Sequence, residues 1–214
     1  EIIVNAHVFD SAGNLLATSS AVSGSTFAAD LDGDGELEHI SGTGVMSMDG
    51  TMWWHDTTHY AGTPAVMDWD GDGYGDVLNQ NGGTLTVYDR NGTILVDSTV
   101  VSDGGGDAPC VGDFDGDGDP EVAIASTYSV TAMETDGSTM WTVSSYDPSS
   151  GGTPCTAWDF DGDGDFEILV SDHNDFKILD GQTGDTLLLE SRHASGTLQE
   201  QPVPVDVDRD GSTE

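Results

Sequence analysis

Basic side chains are scarce in this sequence. It contains 4 Lys and Arg residues against 40 Asp and Glu residues, which gives a formal net charge of −36. Proteins that bind nucleic acid or anionic membranes use basic side chains to displace counterions from phosphate groups. The composition therefore argues against both partners, and it is typical of a protein surface in salty or calcium-rich water.

Long apolar runs are also missing, since no stretch approaches the length of a transmembrane helix. We therefore expect no membrane insertion. No segment shows the 3.6-residue apolar period of a capped helix. The sequence has only 2 cysteines, Cys110 and Cys155, at matching places in "DAPCVGDFD" and "TPCTAWDFD". They form either a disulfide between adjacent inner strands or two separately buried thiols.

Recognisable catalytic motifs are absent too. There is no G-x-S-x-G and no phosphate-binding loop. His55 and His59 are four residues apart but lack the H-E-x-x-H pattern. We interpret the histidines as surface or loop residues: His7, His39, His55, His59, His173 and His193. The sequence therefore predicts that the chain is not an enzyme.

The sequence does contain a short acidic motif, D-x-D-G-D-G-x-x-[DE], in four full copies and one altered copy. The copies span residues 30–38, 68–76, 113–121, 159–167 and 206–214, and are here called loops 1 to 5. Calcium takes about six to eight oxygen ligands. Asp at positions 1, 3 and 5 places three carboxylates on one side of a tight turn, and the glycine at position 6 tolerates a positive φ. An EF-hand loop closes with Glu at position 12 between helices, whereas here an acid at position 9 is followed directly by strand-like residues.

We predict about one Ca²⁺ per loop, four to five per chain. Positions 1, 3, 5 and 9 supply carboxylates and position 7 supplies its backbone carbonyl. The predicted ligands are Asp30, Asp32, Asp34, Glu36 and Glu38; Asp68, Asp70, Asp72, Tyr74 and Asp76; Asp113, Asp115, Asp117, Asp119 and Glu121; Asp159, Asp161, Asp163, Asp165 and Glu167; and Asp206, Asp208, Asp210, Ser212 and Glu214.

Two other interpretations of the acidic motif are solvated turns and the paired carboxylates of a glycosidase. Five copies with Asp, Gly and the closing acid in the same order favour calcium binding, because a catalytic pair would occur only once in the chain. More than half of the acidic residues lie in the five loops. Without calcium their carboxylates repel one another, and we expect the loops to open. Weak calcium loops are used where calcium is millimolar, so we expect an extracellular or cell-surface location.

The spacing of the loops indicates a tandem repeat. Their first aspartates are 38, 45, 46 and 47 residues apart, a period typical of propellers and solenoids. In each repeat a short apolar strand enters the loop, a second strand leaves it, and a hairpin follows with an Asp-Gly or Asn-Gly turn. We therefore predict an all-β fold, a β-propeller of about five four-stranded antiparallel blades in one domain, residues 1–214.

The two ends of the chain match parts of one repeat. "IIVNAHVFDSAGNLL" resembles the segment that follows position 9, and "PVPVDVD" resembles a strand that enters a loop. The simplest prediction is that the N-terminal strands complete the last blade and close a ring, which removes exposed sheet edges. Pairing between subunits, giving a head-to-tail filament, and a segment of a longer array remain open.

Aromatic and apolar residues support a blade-like packing. Position 2 is apolar in every loop and is expected to point inward: Leu31, Trp69, Phe114, Phe160 and Val207. Trp53, Trp54 and Trp141 follow hairpin turns, and we expect them to pack between blades, with sugar stacking as the alternative.

The segments "TPAVMDWDGDGYGDVL" and "APCVGDFDGDGDPEVAIA" resemble the FG-GAP/VCBS repeat family, found in integrin α-subunit propellers and in many secreted bacterial proteins. The resemblance covers essentially the whole chain. It implies a calcium-stabilised β-propeller with ligands at loop positions 1, 3, 5 and 9 and the carbonyl at position 7. Loop 5 departs from the pattern at Arg209 and Ser212, while its three Asp and closing Glu remain.

Three functions fit these observations. The first is a non-catalytic extracellular scaffold, adhesion or surface-assembly module that binds a protein or glycan at the cell surface. The second is a head-to-tail filament, in which the partner is another copy of the chain. The third is a calcium-dependent carbohydrate-binding or polysaccharide-lyase propeller, which the shortage of cations for uronate binding disfavours.

Overall fold

The structure is a computed structural model that describes residues 2–22, 24–100, 105–148, 154–191 and 202–205. Within these ranges the regular structure is all β, and no helix is long and apolar enough to cross a membrane. This confirms the predicted all-β class. Loop 5 lies outside the described residues.

The strands form five antiparallel sheets in chain order, one of three strands and four of four strands. Sheet A contains β1 (Ile2–Val4), β2 (His7–Phe9) and β3 (Leu15–Thr18). Sheet B contains β4 (Thr26–Ala29), β5 (Glu38–Ser41), β6 (Gly44–Ser47) and β7 (Met52–His55). Sheet C contains β8 (Thr63–Met67), β9 (Asp76–Asn81), β10 (Thr84–Tyr88) and β11 (Ile94–Val100). Sheet D contains β12 (Cys110–Gly112), β13 (Glu121–Ala125), β14 (Ser129–Met133) and β15 (Thr139–Ser144). Sheet E contains β16 (Cys155–Trp158), β17 (Glu167–Ser171), β18 (Phe176–Leu179) and β19 (Thr186–Glu190).

Each sheet is a meander whose strands pair with their neighbours in sequence. The four-strand repeat and the three N-terminal strands agree with the sequence prediction. The chain divides into two compact units, Glu1–Val100 with sheets A to C and Val101–Glu214 with sheets D and E. A fifth blade completed by the N-terminal strands, and the closure of a ring, remain predictions.

The second strand of each four-stranded sheet is its most buried element. Strands β5, β13 and β17 are buried at every position, and β9 at all but its last residue. Both faces of these second strands are therefore covered by other parts of the chain. The fourth strands are largely exposed; in β19, for example, Leu187 and Leu189 face solvent.

His39 corrects the interpretation of all histidines as surface or loop residues. It lies in β5 and its side chain is fully buried. The physical reason is its place in a second strand, where both faces of the sheet are covered. Burial is also the main cause that lowers the pKa of His39, because a charged imidazolium is poorly solvated there.

Two tryptophans join consecutive sheets within a unit, as predicted. Trp54 stacks on Tyr88 with ring centroids 5.0 Å apart, and its Nε1 donates a hydrogen bond to Arg90 O at 3.0 Å. Trp141 Nε1 donates to Gly181 O at 2.6 Å in the next sheet. Trp53 donates to Ser47 Oγ of its own sheet and packs on an apolar cluster that contains Ile40 of sheet B and Val77 of sheet C.

A disulfide joins the first strands of sheets D and E. Cys110 in β12 and Cys155 in β16 are bonded, with their Cα atoms 5.5 Å apart. Of the two alternatives that the sequence left open, the bridge between adjacent strands is therefore the one observed.

Candidate metal centre

Each of loops 1 to 4 connects the first strand of a sheet to the second. Position 1 follows the last residue of the first strand, and position 9 is the first residue of the second strand. The four acids at position 9 are therefore anchored at the start of the most buried strand of their sheets. They are 1% to 6% exposed: Glu38, Asp76, Glu121 and Glu167.

In each of these loops the structure brings three of the predicted ligands together. Ligand atoms of positions 1, 3 and 9 lie within 4.8 Å of one another. The four clusters are Asp30, Asp32 and Glu38; Asp68, Asp70 and Asp76; Asp113, Asp115 and Glu121; and Asp159, Asp161 and Glu167. The same geometry in four successive repeats gives one compact set of carboxylates per loop.

Backbone amides of the loop hold the carboxylate at position 1. In loop 1, Gly33 N donates to Asp30 Oδ1 at 2.7 Å and Gly35 N donates to Asp30 Oδ2 at 2.9 Å. Both glycines have positive φ, 75° and 92°, which side chains disfavour. The other three described loops repeat these bonds and φ values.

The closing acid is tied to the amide of position 2. Phe114 N donates to Glu121 Oε2 at 2.6 Å, and the bond recurs in the other described loops. The side chain at position 2 is buried as predicted in loops 1 to 3 and partly buried at Phe160 in loop 4. This apolar anchor and the hydrogen bond fix one oxygen of the closing acid, so its second oxygen is available to a ligand.

Burial makes ionisation of the closing acids costly. Desolvation is the largest cause in each case, and neighbouring loop aspartates add to it. It raises the pKa of Asp76 to about 6 and that of Glu121 to about 7. A bound cation would reverse this cost, because opposite charge favours the ionised form.

Loop 3 provides the most specific observation. Glu121 Oε1 is buried and has no hydrogen-bond partner among the described residues. A buried carboxylate oxygen without a partner is unfavourable, and a cation between Glu121, Asp113 and Asp115 would satisfy it. All donors in the cluster are carboxylate oxygens, the ligand type that hard cations such as Ca²⁺ take.

Positions 5 and 7 contribute differently. The carboxylate at position 5 accepts a hydrogen bond from the amide of position 7, as in Glu36 N to Asp34 Oδ1 at 2.8 Å. The clusters of three do not include the acids of position 5 at Asp34, Asp72, Asp117 and Asp163. Their ligation, and that of the carbonyls at position 7, stays a prediction. The predicted ligands of loop 5, Asp206, Asp208, Asp210, Ser212 and Glu214, lie outside the described residues.

Sequence reasoning missed three features of these sites. One is the glycine at position 4, whose positive φ matches that of position 6; its recurrence in four loops was the available signal. Another is the amide of position 2 as the partner of the closing acid. The third is Glu134, whose pKa is raised by burial and then by Asp115 and Asp117 of loop 3; nothing in the motif indicates this residue.

A group of polar side chains around Asp56, in the first unit and outside the loops, is joined by hydrogen bonds. Asp56 accepts hydrogen bonds from Thr58 and from the Tyr88 hydroxyl, and also contacts His59. Burial opposes ionisation of Asp56, but these hydrogen bonds outweigh it and lower its pKa. Burial and Asp56 together raise the pKa of Tyr88, so the phenolate form that could act as a general base is scarce at neutral pH.

Both described long-chain cations are also occupied. The Arg90 guanidinium lies 3.4 Å from the centroid of the Tyr74 ring. Lys177 Nζ donates to Asp172 Oδ2 at 2.7 Å. Lys177 is therefore paired with a carboxylate, and Arg90 stacks on an aromatic ring.

Three solved structures have similar folds. The V. cholerae biofilm matrix protein Bap1 matches 97% of this chain and 62% of its own, with 16% identity and a TM-score of 0.83. Rhamnogalacturonan lyase YesW matches 99% of this chain and 48% of its own, with 18% identity and a TM-score of 0.59. Rhamnogalacturonan lyase PL11 of Bacillus licheniformis matches 88% of this chain and 45% of its own, with 19% identity and a TM-score of 0.58.

The chain thus spans less than two thirds of the length of each of these proteins, and at such identities the likeness is one of fold alone. A search of curated protein sequences finds no significant match.

The family model for the FG-GAP-like repeat matches the chain twice, at residues 68–124 and 113–170. These two matches contain loops 2, 3 and 4 and strands β9 to β16. Residues 68–170 are therefore built of FG-GAP-like repeats.

Proposed function

We propose that the chain is a non-catalytic, calcium-stabilised β-propeller module of an extracellular scaffold, acting in adhesion or surface assembly. The observation that carries this proposal is the recurrence of one carboxylate cluster at the same place in four successive sheets. A catalytic centre would be expected once, whereas a structural ion is useful in every repeat.

Calcium is the proposed cation. The donors are carboxylates in a flexible glycine-containing loop, and Ca²⁺ tolerates such irregular oxygen shells better than Mg²⁺ does. Loops 1 to 4 would each hold one ion through positions 1, 3 and 9. The ion would neutralise the repulsion within each cluster and connect the first strand of a sheet to the second.

Two further observations support an extracellular setting. The Cys110–Cys155 disulfide is of the kind that persists in oxidising compartments. The similar fold of Bap1 belongs to a biofilm matrix protein. We propose as partners a protein or glycan at the cell surface, or further copies of the chain.

The lyase alternative is motivated by the folds of the two rhamnogalacturonan lyases. It lacks support from the described side chains, because Arg90 and Lys177 are occupied and Tyr88 is buried with a raised pKa. We therefore favour the non-catalytic role.

Two measurements on the same preparation test the proposed function. Isothermal titration should give at least four calcium ions per chain, and a stoichiometry of zero or one would contradict the calcium proposal. Incubation with a panel of uronate-containing polysaccharides, with calcium and with chelator, should give no new unsaturated ends by ultraviolet absorbance. Turnover of any of them would contradict the non-catalytic role and favour the lyase.

A further inference from the structure

Loops 3 and 4 of the second unit touch each other. Phe166 N, at position 8 of loop 4, donates a hydrogen bond to Asp113 O, at position 1 of loop 3, at 2.8 Å. The carboxylate of Asp165, at position 7 of loop 4, lies against Gly116 of loop 3 so closely that a methyl group at Gly116 would overlap it. A charged side chain of one candidate site therefore lies on the backbone of the next.

The electrostatic surroundings of Asp165 come from both loops. Its pKa is raised by desolvation, then by Asp163 of its own loop and by Asp113 and Asp115 of loop 3. Asp113 and Asp115 belong to the carboxylate cluster of loop 3. While that cluster is empty, they repel Asp165. A divalent cation among them would weaken this repulsion, because it reduces the negative charge that faces Asp165, and the cation itself would attract the Asp165 carboxylate.

Loop 3 also carries an independent sign of a ligand, because Glu121 Oε1 is buried and has no partner among the residues that the structure describes. Two carboxylates at loop 3 would thus gain from a positive charge there: Glu121, which is buried in the cluster, and Asp165, which lies against the loop from outside. An ion in loop 3 would satisfy both carboxylates.

We propose that Asp165 couples the two sites, with its backbone carbonyl directed to the ion of loop 4 and its carboxylate to the ion of loop 3. This inference rests on the calcium binding proposed above. An ion in loop 4 holds residues 163–165 in place, which keeps the Asp165 carboxylate on loop 3 and raises the calcium affinity of loop 3. By thermodynamic linkage, an ion in loop 3 raises the affinity of loop 4 by the same factor.

Loops 1 and 2 provide an internal comparison. They are also joined by a backbone bond, Gly75 N to Leu31 O at 3.0 Å. Position 7 of loop 2, however, is Tyr74, whose ring lies under Arg90. A methyl group at Gly33, the loop 1 counterpart of Gly116, would meet nothing within 4 Å. This pair has the backbone connection without the carboxylate, and we expect no comparable coupling there.

The test uses calcium titration of the full chain followed by ¹H–¹⁵N NMR. The amide of the glycine at position 6 donates to the carboxylate at position 1 in each described loop. Gly35, Gly73, Gly118 and Gly164 therefore report on loops 1 to 4 separately. The variants are Asp165→Asn, Glu167→Gln, which disables loop 4, and the two combined. Glu36→Gln is the matched control, since it removes the carboxylate at position 7 of loop 1.

In the wild-type chain, Glu167→Gln should raise the calcium midpoint of Gly118 by at least about fivefold, the lower range of typical coupling. In the Asp165→Asn background the same substitution should leave that midpoint unchanged. Glu36→Gln should affect Gly35 alone. Equal effects of Glu167→Gln on Gly118 in both backgrounds would overturn the coupling through Asp165, as would no effect in either. Four wild-type reporters that do not respond to calcium would instead contradict the proposed calcium binding itself.

Discussion

At the scale of the residue, the closing acid at position 9 contributes both to the fold and to the candidate metal site. One oxygen of Glu121 accepts a hydrogen bond from the Phe114 amide, and the other is buried with no partner in the described part of the chain. The motif in the sequence was sufficient to predict Glu121 and its equivalents as candidate ligands. It did not indicate the amide of position 2, because that contact depends on how the chain reverses direction between two strands.

Glu121 should make the stability of the calcium-free protein depend on pH. Its folded pKa of about 7 exceeds the ordinary value of 4.5, so the folded state binds the proton more tightly than the unfolded state. This contribution to the free energy of unfolding is fully present below about pH 4.5 and is lost as the pH rises through 7. The loss should be on the order of 2 kcal/mol.

Urea unfolding in calcium-free buffer at pH 4.5 and pH 7 measures this effect. Glu121→Gln keeps an acceptor for Phe114 N but cannot ionise, so it should lose less stability than the wild type over this range. Glu36→Gln, at an exposed position, should follow the wild type. Parallel pH profiles for the wild type and Glu121→Gln would contradict the assignment.

Trp141 gives a second prediction at this scale. Substitution by Phe keeps most of the ring but leaves the Gly181 carbonyl without its indole donor. A buried acceptor without its partner costs about 1–3 kcal/mol. The control is Trp53→Phe, which removes a bond to Ser47 within one sheet and should cost less. A larger loss for Trp53→Phe than for Trp141→Phe in urea unfolding would show that the link between sheets is unimportant.

At the scale of the element, the same irregularity recurs between the third and fourth strands of the four-stranded sheets. A register shift occurs beside the last residues of β6, β10, β14 and β18, and the same shift occurs between β2 and β3. Such bulges increase the local twist, so the exposed outer strands are turned relative to the buried second strands.

Strand order and the hairpins could be predicted from the sequence because an Asp-Gly or Asn-Gly turn follows 11 to 15 residues after position 9 of each of loops 1 to 4. The bulges could not, since their extra residue has no characteristic side chain. The burial of His39 was missed for a related reason. A polar residue in a short strand is predicted to be exposed unless it is known that both faces of its sheet are covered. Cys110 and Cys155 lie at matching places in neighbouring repeats, but their disulfide could not be predicted without the distance between β12 and β16.

The disulfide should contribute measurably to the stability of the second unit. It closes a span of 45 residues, and bridges of this length are worth about 2–4 kcal/mol. Cys110→Ser with Cys155→Ser should therefore lower the urea midpoint, and reduction of the wild type should lower it by a similar amount. Unchanged midpoints in both experiments would show that the unfolded chain is not restrained by this bond.

At the scale of the whole molecule, charge is the dominant feature. The chain has a formal net charge of −36, and the described clusters concentrate carboxylates at four equivalent places. Such a distribution is self-repulsive in the folded state. Divalent ions bound at these places lower the repulsion where it is strongest, so we expect the fold and the cations to depend on each other.

The melting temperature with and without calcium tests this central claim most directly. Each site filled at about 100 times its Kd stabilises the folded state by about 2.7 kcal/mol, and 1 kcal/mol changes the melting temperature of a chain of this size by roughly 2–4 °C. Scanning calorimetry should therefore show a fall of at least about 10 °C in excess chelator, reversed by added calcium. A melting temperature that is the same in calcium and in chelator would contradict the account.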